Sequence, residues 1–78
     1  MIALITGATS GIGYEIAKIL SEKNIDLVLA SRNISKMKEL EIEFKKVKVT
    51  SIEIDLSQQD SAFELYKKIK ELGIEIDI

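Results

Sequence analysis

The chain contains no cysteine and no histidine. Those two absences exclude disulfides, thiolate nucleophiles, zinc sites and imidazole acid–base chemistry, and most hydrolase mechanisms go with them. Without cysteine, the redox compartment leaves no trace in the sequence. A cationic surplus is also missing. Lys and Arg number 11 against 13 Asp and Glu, giving a formal charge of −2 with no basic block to neutralise a phosphate backbone. Nucleic acid is therefore not an expected partner. Long apolar runs are absent too. The opening Met1-Ile2-Ala3-Leu4-Ile5 has no basic leader before it, and the stretch from Gly7 to Gly13 interrupts it far short of a spanning length. The expectation is a cytoplasmic location, with no membrane segment in these residues.

What is present is the balance of a folded domain, with 46% hydrophobic and 31% charged residues. At 78 residues there is room for one small domain and not for a second. A chain of this size hides only roughly 60% of its extended surface, so its core holds a thin margin over conformational entropy.

Strand-like and helix-like periods alternate along the chain, and that rhythm is the main argument for an α/β fold. Ile2 to Thr6 is a short apolar run that ends at Gly7. The small-residue loop Gly7-Ala8-Thr9-Ser10-Gly11-Ile12-Gly13 follows, and Ile12, Ile16, Ile19 and Leu20 then recur at helical spacing as far as about Asn24. Asp26 to Ser31, apolar on both faces, reads as a buried parallel strand. Asn33 is placed to cap a second helix with the stripe Ile34, Met37, Leu40 and Phe44. On that helix Glu39, Glu41 and Glu43 read as solvated.

Val47 to Asp55 reads as a third strand, and its alternating outer half suggests a sheet edge. Ser57 and Asp60 resemble a capping box for a third helix with the stripe Ala62, Leu65, Ile69 and Leu72, closed by Gly73 in a left-handed cap. Ile74 to Ile78 then begins a fourth strand. The predicted architecture is a three-layer partial Rossmann-type domain. It has a parallel sheet of four strands in the order 3-2-1-4, with the first two helices on one face and the third on the other. A chain ending inside a central strand would leave an edge unpaired, so an incomplete product is expected.

Gly7, Gly11 and Gly13 stand between a strand and a helix, and each spacing has a physical use. One permits a tight turn, one lets a pyrophosphate approach the backbone, and one lets helix pack closely on strand. The helix N-terminus then offers amides and a favourable dipole to an anion. A loop of the nucleotide-hydrolase type is excluded, because no Gly-Lys-Ser or Gly-Lys-Thr closes it. Arg32, about 20 residues beyond the loop, stands where a dinucleotide site meets the adenosine ribose. A guanidinium there offers donors to a 2'-phosphate, which favours NADP over NAD. A solvated surface arginine is the plainer alternative.

The string Thr6-Gly7-Ala8-Thr9-Ser10-Gly11-Ile12-Gly13 resembles the TGxxxGIG signature of the short-chain dehydrogenase/reductase family. The resemblance continues through Leu29-Ala30-Ser31-Arg32-Asn33 and Asp55-Leu56-Ser57, covering essentially the whole chain. It implies that Gly7, Gly11 and Gly13 shape the cofactor loop and that the Ile12 amide meets the pyrophosphate. Thr9 and Ser10 would offer hydroxyls near the ribose phosphate, with Arg32 and Asn33 beside them. Asp55 would bond the adenine amino group, and Leu56 would wall the ring. For Thr9 and Ser10 the alternative is a hydroxyl that satisfies the turn, and for Asp55 a strand-end turn.

By the same resemblance, the whole enzyme transfers hydride between NADP(H) and a carbonyl or alcohol substrate, using a tyrosine with a lysine four residues later, a serine and an asparagine. That segment is not among these residues. Tyr14 with Lys18 and Tyr66 with Lys70 repeat the spacing, but any amphipathic helix produces it; both tyrosines read as half-buried beside solvated lysines. This chain alone is therefore expected to bind cofactor weakly or not at all and to lack turnover. The alternative is a non-catalytic nucleotide-binding or assembly module that self-associates through its open sheet edge, or the inactive product of a truncated gene.

Overall fold

The computed structural model describes residues 1–9 and 11–78. Among the described residues six elements alternate: β1 (Ile2–Thr6), α1 (Gly11–Glu22), β2 (Asp26–Ser31), α2 (Ile34–Glu43), β3 (Val49–Glu53) and α3 (Ser61–Glu71). The strands form one parallel sheet in the order β1-β2-β3, with Leu4 beside Val28 and Val28 beside Thr50.

β2 is central and is buried on both faces by its own alternation. Leu27 and Leu29 join Ala3, Ile5, Ala17, Met37, Leu40 and Phe44 under α1 and α2. Val28 and Ala30 join Ile52, Ile54, Leu65 and Ile69 under α3. The two-faced helix arrangement predicted from the sequence is therefore present. No helix among the described residues is long and apolar enough to cross a membrane.

The sheet has three strands, not four. The predicted fourth strand, residues 74–78, lies along the free edge of β1. There the Asp77 amide donates to the Ile2 carbonyl at 2.8 Å, and the Leu4 amide donates to the Ile78 carbonyl at 3.1 Å. These bonds involve only the last two residues of the segment, too short a ladder to make a regular strand. Ile74 and Ile76 nevertheless pack against the α3-side core.

The predicted stripe on α1 is also corrected. Ile12, Ile16 and Ile19 are 80%, 45% and 52% exposed, whereas Ala17 and Ser21 are buried and Leu20 is half-buried. The cause is the close approach of this helix to the end of β1. A Cβ on Gly13 would overlap the Gly7 backbone, so small residues four and eight positions further on take the near face. Both this helix and α3 end with a left-handed residue. Asn24 (φ 62°) and Gly73 (φ 71°) sit there, and the amides of Ile25 and Ile74 reach back to the carbonyls of Leu20 and Ile69.

On α3 the buried positions are Ser61, Leu65 and Ile69, spaced by four, while Ala62 and Leu72 are exposed. The Ser57/Asp60 capping box does not form. Asp60 precedes the helix without a side-chain bond, and Ser57 turns back to Asp55 instead. Two of the three glutamates expected to be solvated accept hydrogen bonds. Glu41 accepts from the Ser51 hydroxyl at 2.6 Å, and that bond, more than Lys38, holds its carboxyl below the usual carboxylate range. Glu43 accepts from the Tyr14 hydroxyl, tying α1 to α2.

Candidate functional site

All three strands run in the same direction, so their carboxyl ends, and the segments that follow them, gather at one rim. A parallel sheet gathers its ligands at such a rim, because the loops there are free of the hydrogen-bonded ladder. After β1 the chain turns through Gly7, at φ 70°, and re-enters a helix at Gly11, at φ 63°. Both values lie in the left-handed region that favours glycine. A Cβ added at either glycine would meet nothing within 4 Å, so the outer side of the loop is open. Gly13 has the opposite setting, with its backbone pressed against Gly7 and Ala8. Gly11, Ile12 and Gly13 occupy the first turn of α1, where amides point outward and no acidic side chain opposes an incoming anion.

Two adjoining hollows open on this rim. The first, about 240 Å³, is lined by Gly7, Ala30, Ser31, Arg32, Ile54, Asp55, Leu56 and Ser57. The second, shallower and about 600 Å³, is bounded by Thr9, Ser31, Arg32 and Asn33. Ser31 and Arg32 belong to both. Most of the positions singled out from the sequence are thus on this rim: Gly7, Arg32, Asp55 and Leu56 around one hollow, Thr9 and Asn33 around the other, and Gly11, Ile12 and Gly13 at the helix start. Ser10 lies outside the described residues.

The local chemistry differs from side to side. Arg32 is 75% exposed in its side chain, with Nη1 3.9 Å from Asp55 Oδ2. Asn33 Oδ1 accepts from the Lys36 amide at 3.0 Å and caps α2, while the Asn33 amide donates to Ser31 Oγ at 3.1 Å. Asp55 is held by its own turn. Its Oδ1 accepts from the Ser57 hydroxyl at 2.6 Å and the Ser57 backbone amide at 3.0 Å, and the side-chain Nε2 of Gln58 lies 3.4 Å from Oδ2. The Ser57 hydroxyl is the main cause of a carboxyl held below its ordinary range, with the Ser57 amide, Gln58 and Arg32 adding to it. The rim therefore offers an exposed cation, a bay of hydroxyl and amide groups, and an ionised carboxylate beside an apolar wall.

Ser31, Ser57 and Gln58 were not singled out as site residues from the sequence. The spacing of Asp55 and Ser57, two residues apart at a strand end, is that of a side chain bonding the backbone two positions on. Neither tyrosine–lysine pair lines either hollow. The Tyr14 hydroxyl is bound to Glu43 and its ring lies 5.9 Å from that of Phe44. Tyr66, 58% exposed where a half-buried ring was expected, carries Lys70 Nζ 5.6 Å from its centroid and lines an apolar cleft beside α3 that shares Leu56 with the smaller hollow and reaches Thr6.

Comparison with known proteins agrees with this fold. The profile of the family described as short chain dehydrogenase matches residues 1–78. A very-long-chain 3-oxoacyl-CoA reductase-like protein of Arabidopsis thaliana is 35% identical over 80 residues, covering 97% of this chain and 25% of that protein. The alcohol dehydrogenase of the archaeon Thermococcus sibiricus, complexed with 5-hydroxy-NADP, superposes with a TM-score of 0.86 at 32% identity, over 97% of this chain and 34% of that one. A short-chain dehydrogenase of Sphingobium yanoikuyae in complex with NADPH gives a TM-score of 0.79 at 29% identity, over 90% of this chain and 29% of that one. The chain thus spans between a quarter and about a third of the length of these relatives.

Proposed function

This chain belongs to the short chain dehydrogenase family, and from that premise we propose that its rim binds the adenosine end of NADP as part of an oxidoreductase acting on a carbonyl or alcohol. The observation that carries the reading is the convergence of the Gly7 loop, Arg32 and Asp55 on one pair of hollows. The residues fit the group. The bare outer side of Gly7 and Gly11 leaves room for a pyrophosphate against the backbone, and the first turn of α1 supplies amide donors and a favourable dipole. Arg32, with Thr9, Ser31 and Asn33 around the same bay, suits a 2'-phosphate, and a guanidinium presents its donors to phosphate in a fork. Asp55 and Leu56 suit the adenine amino group and ring face.

When bound, the cofactor supplies a hydride at its nicotinamide end; these residues grip the opposite end. Their task is to hold and orient. Tyr14 is bound to Glu43 and neither tyrosine lines the two hollows, so these residues by themselves would not turn over substrate.

Calorimetric titration of the 78-residue chain with NADPH and with NADH, beside its circular dichroism, tests the reading. Tighter binding of NADPH, lost in Arg32→Ala, is the expected result. Equal affinity for the two dinucleotides, or an unchanged preference in Arg32→Ala, would overturn it.

A further inference from the structure

Arg32 follows β2 and Asp55 follows β3, and they meet across the mouth of the smaller hollow. The two oxygens of the Asp55 carboxylate are not equivalent. Oδ1 carries two bonds from Ser57, at 2.6 and 3.0 Å, which fix the plane of the group. Oδ2 has only the long Gln58 contact at 3.4 Å and the Arg32 guanidinium at 3.9 Å. It is the atom left for a ligand in the hollow, and Arg32 competes for it. Arg32 also bounds the neighbouring bay with Thr9, Ser31 and Asn33, and Asp55 does not. At 75% exposure the guanidinium is free to swing from one hollow to the other.

Resting on the NADP reading above, we propose that the Arg32–Asp55 pair couples recognition of the phosphate to recognition of the base. A 2'-phosphate in the bay draws Arg32 off Oδ2, and Asp55 is then free to accept from the exocyclic amino group of adenine. Without the phosphate Arg32 stays on Oδ2, and the amino group must share that oxygen with a cation. A base carrying an oxo group in place of the amino group would face a bare carboxylate in the first case and a partly neutralised one in the second. Selection for adenine is therefore sharper in the phosphorylated cofactor, and the two ends of the adenosine are not read independently.

Four ligands test this on the 78-residue chain: NADPH, NADH and the hypoxanthine counterpart of each, titrated calorimetrically against wild type and Arg32→Ala. The ratio of adenine to hypoxanthine affinity is expected to be about two- to fivefold larger for the phosphorylated pair, the range an exposed ion pair supplies. In Arg32→Ala the two ratios should coincide; the side chain is exposed, and circular dichroism confirms that the variant folds. NADPH preferred over NADH with equal base ratios would overturn the coupling and leave the NADP reading standing. A difference between the ratios that survives in Arg32→Ala would also overturn it. No preference for NADPH, or no saturable binding of any ligand, would overturn both.

Discussion

Gly13 and Gly7 meet backbone to backbone: a Cβ on Gly13 would stand 2.7 Å from the Gly7 carbonyl carbon and nearer still to its oxygen. Backbone cannot swing aside as a side-chain tip can, so a methyl group there must push α1 away from the end of β1. Gly13→Ala should cost about 1–3 kcal/mol, the usual range for overpacking. Gly7→Ala meets no neighbour but must hold φ near 70° with a Cβ, a strain of about 1–2 kcal/mol. Urea unfolding followed by circular dichroism measures both. A Gly13→Ala variant as stable as wild type would show that the helix does not depend on this approach.

The same contact explains what the sequence could and could not reveal. The three-glycine spacing, the buried run from Leu27 to Ala30 and the cap at Asn33 are local patterns, and each is found where local rules put it. The burial of α1 is not local. Periodicity favours the isoleucines, but the distance between helix and sheet is set by Gly13 against Gly7, and at that distance the small Ala17 and Ser21 take the buried positions, with Tyr14 and Leu20 half-buried beside them. The turn at Asp55 shows a similar competition. Ser57 had two uses within reach, a cap for α3 or a bond to Asp55, and the choice depends on where β3 delivers the carboxylate. The fourth strand was misread because a strand exists only through its ladder, and residues 74–76 carry the right alternation without one.

Asn33 has two roles that substitution can separate. Its side-chain oxygen caps α2, and its residue bounds the bay beside Arg32. Asn33→Ala should lose about 1 kcal/mol of stability with the cap. Asn33→Asp keeps a capping oxygen, so its stability should stay close to wild type, but it places an anion beside the bay. Titration should then show NADPH weakened more than NADH. Equal weakening of the two would place Asn33 outside the phosphate site.

Tyr14 donates to Glu43, and that bond, followed by burial, pushes its phenol above the ordinary tyrosine range. A group whose folded pKa is raised contributes stability that is fully present below its unfolded pKa, about 10, and is lost as pH rises through the folded value. Tyr14→Phe should therefore be less stable than wild type at neutral pH, with the gap closing only in strongly alkaline solution. The difference in phenolate absorbance between wild type and Tyr14→Phe isolates this one group. A midpoint at or below about 10 would contradict the bond.

The Asp55 carboxyl titrates in the opposite sense. Its folded pKa lies below its unfolded value, chiefly through the Ser57 hydroxyl, so the stability it contributes is present above the unfolded pKa, about 4, and is lost as pH falls through the folded one. In Ser57→Ala the hydroxyl is gone but the Ser57 amide bond can persist, so the Asp55 midpoint should rise only part of the way to an ordinary carboxylate. Arg32→Ala should raise it less, because the guanidinium is the smallest contributor named and stands 3.9 Å away. Carbon NMR of the Asp55 carboxyl between pH 2 and 6 resolves the order, since about 4 is the unperturbed value. If Arg32→Ala shifted the midpoint more than Ser57→Ala, the ion pair rather than the turn would hold the carboxylate. Ser57→Ala should also loosen the plane of the carboxylate, lowering the affinity for NADPH more than for NADH, because only the phosphorylated cofactor leaves Oδ2 wholly to the base. Equal losses for the two dinucleotides would count against the coupling of Arg32 to Asp55.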